Sequence, residues 1–157
     1  GVSGTGKSTV GLSLSDQLGL PFIDADDFHP EVNKAKMQSG TALTDEDRWP
    51  WLQTLASELA RYEQQTGVVL ACSALKESYR KVLSANNTLP IKWVVLTGSF
   101  ELLSARLSAR VNHFFDGRLL KTQLDTLEVP GYGIKIDVEK PITAVIQCAE
   151  AYVNQQS

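Results

Sequence analysis

The first eight residues, Gly1-Val-Ser-Gly-Thr-Gly-Lys7-Ser8, complete the pattern Gly-x4-Gly-Lys-Ser/Thr, and that pattern leaves a chain few folds to choose from. Glycines let the backbone turn tightly enough to aim N–H groups at the oxygens of an anion, and a helix starting directly afterwards adds the positive end of its dipole. On this reading Gly1, Ser3, Gly4, Thr5 and Gly6 form a phosphate cradle, Lys7 reaches the outer phosphates of a nucleoside triphosphate such as ATP, and Ser8 ligates Mg2+. A loop of small residues ahead of a helix can match the pattern by chance. Val10, Leu14 and Leu18, at intervals of four, supply the amphipathic helix that favours the functional reading.

Such a loop is fed by a strand, and Gly1 is already its first glycine. The expectation is therefore a parallel sheet of five strands whose first strand is missing from these 157 residues, an N-terminal truncation of a single kinase-like domain spanning 1–157. Apolar runs at Pro21–Asp24, Val68–Cys72, Ile91–Leu96 and Ile134–Val138 read as four further strands. They alternate with helical patterns over Lys7–Leu18, Pro30–Ser39, Asp45–Gln65, Leu75–Ala85, Phe100–Arg110 and Leu119–Leu127, with a last helix from about Pro141. This is the order of an α/β fold. Gly19 and Gly40 stand where helices end, and Thr44 with Asp47 forms a capping-box start to the long third helix.

Any bound anion must be held locally, because a net charge of −3 provides no field for nucleic acid or an anionic membrane. No apolar run approaches the roughly 18 residues of a membrane span. Cys72 and Cys148 lack the spacing of a zinc site or a disulfide framework, so a reduced, cytoplasmic setting is expected.

The run after the Pro21 strand, Asp24-Ala-Asp26-Asp27-Phe-His29-Pro30, falls where ligands of open α/β sheets bind, beyond the carboxyl end of a strand. Of two acids spaced in this way, Asp24 and Asp26, one can orient a metal and the other can accept the proton of an attacking hydroxyl. The competing reading is a solvated acidic turn ahead of the next helix, which suits Asp27 better. Lys76 and Arg80, one helical turn apart, form an expected anion pocket, against the alternative of an ordinary solvated face. Trp49 and Trp51 read as packing, and Cys72 as a small buried hydrophobe. Arg106 and Arg110 share a helix face ahead of Asn112-His113-Phe-Phe, as the cations of a mobile lid over 111–130 would.

Taken together, GVSGTGKS, DADDFHP, NKAKMQSGTALTDEDRWPWL, CSALKESYR, RLSARVNHFF and LLKTQLDTLEVP resemble the gluconokinases of the P-loop small-molecule kinases over nearly the whole chain. The resemblance implies a three-layer α/β/α P-loop NTPase fold of the shikimate and nucleoside-monophosphate kinase type. It implies ATP with Mg2+ as donor, D-gluconate as acceptor at its 6-hydroxyl, and commonly a homodimer. It places Gly4, Gly6, Lys7, Ser8 and Thr9 on phosphate and metal, and makes Asp26 the base. His29, Arg48, Lys76 and Arg80 would surround the substrate, Arg106 and Arg110 would serve the nucleotide, and His113 would sit near the substrate's entry. The stretch from Glu128 to Asp137 is a few residues shorter than the family's usual loop, which lies near the adenosine. A shikimate kinase would carry a glycine triplet where this chain has Cys72-Ser-Ala-Leu-Lys76. A relative without turnover would have lost Lys7, Ser8 or Asp26, and all three are present.

Overall fold

A computed structural model describes residues 1–110 and 117–155. Helix α1 (Lys7–Leu18) leads to strand β1 (Phe22–Asp24), a 3-10 turn (Ala25–Phe28), α2 (Glu31–Gln38), α3 (Asp45–Glu63), β2 (Val69–Ala71) and α4 (Glu77–Ser84). Then come β3 (Val94–Thr97), α5 (Phe100–Ser108), α6 (Gly117–Thr126), β4 (Ile134–Asp137) and α7 (Ile142–Val153). The alternating α/β order read from periodicity is present, and all described strand pairs are parallel.

Local chemistry sets the ends of these elements. Gly19 takes a left-handed conformation (φ 67°) and returns its N–H to Ser15 O, closing α1. Thr44 accepts the Asp47 N–H while the Asp47 carboxylate accepts the Thr44 N–H, the reciprocal cap expected for α3. Ser99 caps α5 through the Leu102 N–H. A Cβ placed on Gly11 would lie 2.6 Å from the Phe22 ring, so only glycine lets α1 lie this closely against β1.

The sheet is interrupted. β1 pairs with β2 and β3 with β4, but among the described residues no ladder joins β2 to β3. Between the pairs lies an apolar cavity of about 390 Å³, walled by β2, β3 and the inner face of α1 at Val10, Leu14 and Leu18. The strands are shorter than their apolar runs: the ladder of β3 with β4 starts at Val94 opposite Ile134, after Ile91 and Lys92. The core is otherwise filled by Leu52 and Leu55 of α3, Tyr79 and Leu83 of α4, Leu103 of α5 and Val145 of α7. Among the described residues no helix is long and apolar enough to cross a membrane.

Candidate active site

The glycine loop, the carboxyl end of β1 and the facing ends of α3 and α4 bound one crevice. In the loop, Gly4 and Gly6 have φ of 85° and 89°, which only glycine adopts without strain. The Val2 carbonyl accepts from Thr5 Oγ1 at 2.8 Å and from Lys7 Nζ at 3.0 Å, so the loop holds its own lysine in place. Loss of bulk water lowers the Lys7 pKa, against the attraction of Asp26. From α6, Gln123 Oε1 accepts the Ser3 N–H at 2.8 Å.

Asp24 joins the loop to the acceptor side. One of its oxygens accepts the Asp26 N–H at 2.9 Å, capping the 3-10 turn, and the other accepts from Ser8 Oγ at 3.2 Å. Asp24 is thus both the turn cap of the structural reading and a partner of the loop serine. Asp26, one turn position on, has a side chain largely open to solvent. The protein packed around its base, and then the neighbouring Asp24 charge, raise its pKa from the ordinary aspartate value against the pull of Lys7, a shift that the open side chain keeps screened.

His29 points inward. It stacks on Trp51 with ring centroids 4.1 Å apart and an interplanar angle of 16°, while Trp51 Nε1 donates to Ala25 O at 2.7 Å. The Asn33 amide donates to Asp47 O and approaches His29 Nδ1 at 3.3 Å, which puts the ring proton on Nε2, 4.0 Å from Asp26 Oδ1. Burial, and then the charges of Arg48 and Lys34, push the His29 pKa down to about 4, so the ring is neutral at physiological pH.

Across the crevice Arg48 and Lys76 meet at one carboxylate. Lys76 Nζ lies 3.2 Å from Asp45 Oδ1, and Arg48 Nη1 lies 4.0 Å from the same oxygen. The Tyr79 hydroxyl stands between them, donating to Asp45 and accepting from Arg48 Nη1 at 2.9 Å. Neither Asp45 nor Tyr79 was singled out from sequence; the available signal was the spacing of Asp45 from Arg48 and of Lys76 from Tyr79, three residues in each case.

Arg80 does not share a ligand with Lys76. Its guanidinium is buried and donates to Ala74 O at 2.7 Å, Glu128 O at 2.6 Å, Glu77 Oε1 at 3.0 Å and Tyr132 Oη at 3.2 Å. Four bonds turn it away from the Asp45 cluster and onto the bend at Ala74, a non-glycine residue with φ of 42°. The same bend is held from the tail of α6, where the Glu128 N–H donates to Leu75 O and its carboxylate accepts the Glu77 N–H.

On the donor side, Arg106 donates to Val138 O, and Arg110 is exposed past the end of α5, near enough for its charge to depress the Lys7 pKa. Thr9 lies on the exposed first turn of α1. The Cys72 thiol is pushed up to about 11 by burial, which removes it from nucleophilic chemistry. His113 and residues 111–116 of the lid expected over 111–130 lie outside the described residues, and the rest of that span holds α6 and the stretch after it.

The donor set suits a hard cation. Ser8 and Asp24 present a hydroxyl and a carboxylate side by side, the kind of oxygen ligands through which Mg2+ is held together with phosphate.

The shikimate kinase family model matches residues 3–126. A probable gluconokinase of Xenopus tropicalis is 43% identical, over 99% of this chain and 92% of that protein. The thermoresistant gluconokinase of Escherichia coli is 41% identical, over 93% of this chain and 86% of that protein. The crystal structure of a gluconokinase from Sinorhizobium meliloti superposes with a TM-score of 0.90 at 42% identity, covering 98% of this chain and 87% of that one.

Proposed function

Because this chain belongs to the gluconokinases, within the shikimate kinase family, we propose that it transfers the γ-phosphate of ATP to the 6-hydroxyl of D-gluconate, giving 6-phospho-D-gluconate and ADP. One observation carries the acceptor side: Arg48 and Lys76, from two different helices, converge on a single carboxylate, that of Asp45. A sugar acid brings a carboxylate of its own to such a pair.

The chemistry follows from what each group offers. Asp26 accepts the proton as the substrate oxygen bonds to the γ-phosphorus and the bond from that phosphorus to the β–γ bridging oxygen breaks. Its raised pKa makes it a better proton acceptor than an ordinary aspartate. The loop amides from Gly4 to Gly6, with Lys7 and Arg110, would face the charge that accumulates on the phosphoryl oxygens. His29, kept neutral by burial and by the charges of Arg48 and Lys34, faces Asp26 with its Nε2 proton 4.0 Å away. Ser8 and Asp24 would hold Mg2+, whose charge would neutralise the phosphates.

The reading extends to one kinase domain over residues 1–157, a cytoplasmic setting in keeping with two unpaired cysteines, and a homodimer, which light scattering on the purified protein would detect. The test of function is gluconate-dependent ADP release with Mg-ATP, run beside shikimate and other sugar acids. Turnover of gluconate above the others is expected. Turnover of another acceptor with none of gluconate would overturn the substrate and leave the kinase class standing.

A further inference from the structure

We propose that Tyr79 is a positioning residue of the acceptor site, whose hydroxyl holds Asp45 off Arg48 so that the guanidinium is presented, beside Lys76, to the carboxylate of a sugar acid. The inference rests on the reading of gluconate as substrate.

Tyr79 is the third residue after Lys76 and is 1% exposed. A buried phenol needs partners for its hydroxyl, and both partners here come from the first turn of α3. The one O–H is donated to Asp45 Oδ1, and a lone pair accepts Arg48 Nη1 at 2.9 Å. The ring is as fixed as the hydroxyl. Arg48 Cζ lies 5.3 Å and Lys76 Nζ 5.6 Å from its centroid, and Trp49 meets it edge-on at 5.7 Å and 78°. Both cations of the site therefore rest on one immobile aromatic side chain. The α3 turn is itself tied down, since Asp47 caps it and binds Lys36 Nζ at 2.8 Å.

The arrangement poses a competition that the hydroxyl resolves. Asp45 is an internal anion close to both cations, and an incoming carboxylate must replace it there. With Tyr79 donating to Oδ1, Arg48 stays at 4.0 Å from that oxygen, bonded to the phenol instead. Without the hydroxyl, nothing keeps Asp45, already paired with Lys76, from closing onto Arg48 as well, and the substrate would have to break a second ion pair.

Tyr79→Phe keeps the ring and its packing and removes only the hydroxyl. The expected result is a gluconate KM raised about tenfold or more, a kcat within about threefold of the parent and an unchanged KM for ATP. Adding Asp45→Asn removes the competing charge and should return the gluconate KM to within about threefold of the parent. A purely structural role would lower the melting temperature and move both KM values, and no second substitution at Asp45 would rescue it. An unchanged gluconate KM in Tyr79→Phe, a parallel rise in the KM for ATP, or no rescue in the double variant overturns the proposal. Failure of the parent enzyme itself to use gluconate overturns the substrate reading and this proposal with it.

Discussion

Ser8 Oγ and Asp24 Oδ2 lie 3.2 Å apart, so the first turn of α1 and the last residue of β1 share a hydrogen bond at the floor of the crevice. Two oxygens brought together from a helix start and a strand end would supply part of the oxygen shell of Mg2+, with phosphate and water supplying the rest. Ser8→Ala and Asp24→Asn should each raise the Mg2+ concentration needed for half-maximal rate about tenfold or more, with the gluconate KM little changed. Initial rates titrated against Mg2+ check this.

Asp26→Asn should lower kcat about a hundredfold or more and leave both KM values near those of the parent, as expected on loss of a general base. Asp26 must be ionised to take the proton, so the parent's rate should fall as pH drops through its pKa. Because that pKa is raised, the acid limb of the kcat/KM profile should lie above the ordinary aspartate value. A near-normal rate in Asp26→Asn removes the residue from this role.

His29 ties stability to pH through its buried, neutral ring. Its folded pKa of about 4 lies below the ordinary 6.5, so acid protonates the unfolded chain first. The stability it contributes is complete above about 6.5 and is lost progressively as pH falls towards 4. His29→Phe keeps the stack on Trp51 and removes the titration. Melting temperatures between pH 7 and 4 should decline less steeply in that variant than in the parent, once other carboxylates common to both are cancelled.

Arg80 separates a structural from a substrate role cleanly. Arg80→Met leaves the Ala74 and Glu128 carbonyls and the Glu77 carboxylate without their buried donor. Denaturant unfolding should show a loss of about 3 kcal/mol or more. A direct substrate contact would instead leave stability intact and raise the gluconate KM alone.

What the sequence disclosed, it disclosed where chemistry is local. The phosphate loop, the Gly19 stop and the Thr44 cap are each written in a few adjacent residues, and each is present in the fold. Strand limits were less legible because a strand ends where its partner ends: Val68 and Ile91 are as apolar as their neighbours but lie outside the paired residues. Long polar side chains were least legible. Lys76 and Arg80 look equivalent on a helical wheel, yet one reaches across to Asp45 and the other reaches back to Ala74. The difference lies in Glu128, a residue 48 positions from Arg80 whose carbonyl draws the guanidinium inward. Tyr79 escaped notice for a similar reason, since its partners Asp45 and Arg48 belong to another helix.

Helix α6 and the stretch after it reach both sides of the site: Gln123 of the helix accepts the Ser3 N–H, and Glu128, past the helix end, donates to Leu75 O. If a nucleotide displaces the Ser3 contact and the displacement carries to Glu128, each substrate would change the other's affinity by the same factor, since binding free energies couple reciprocally.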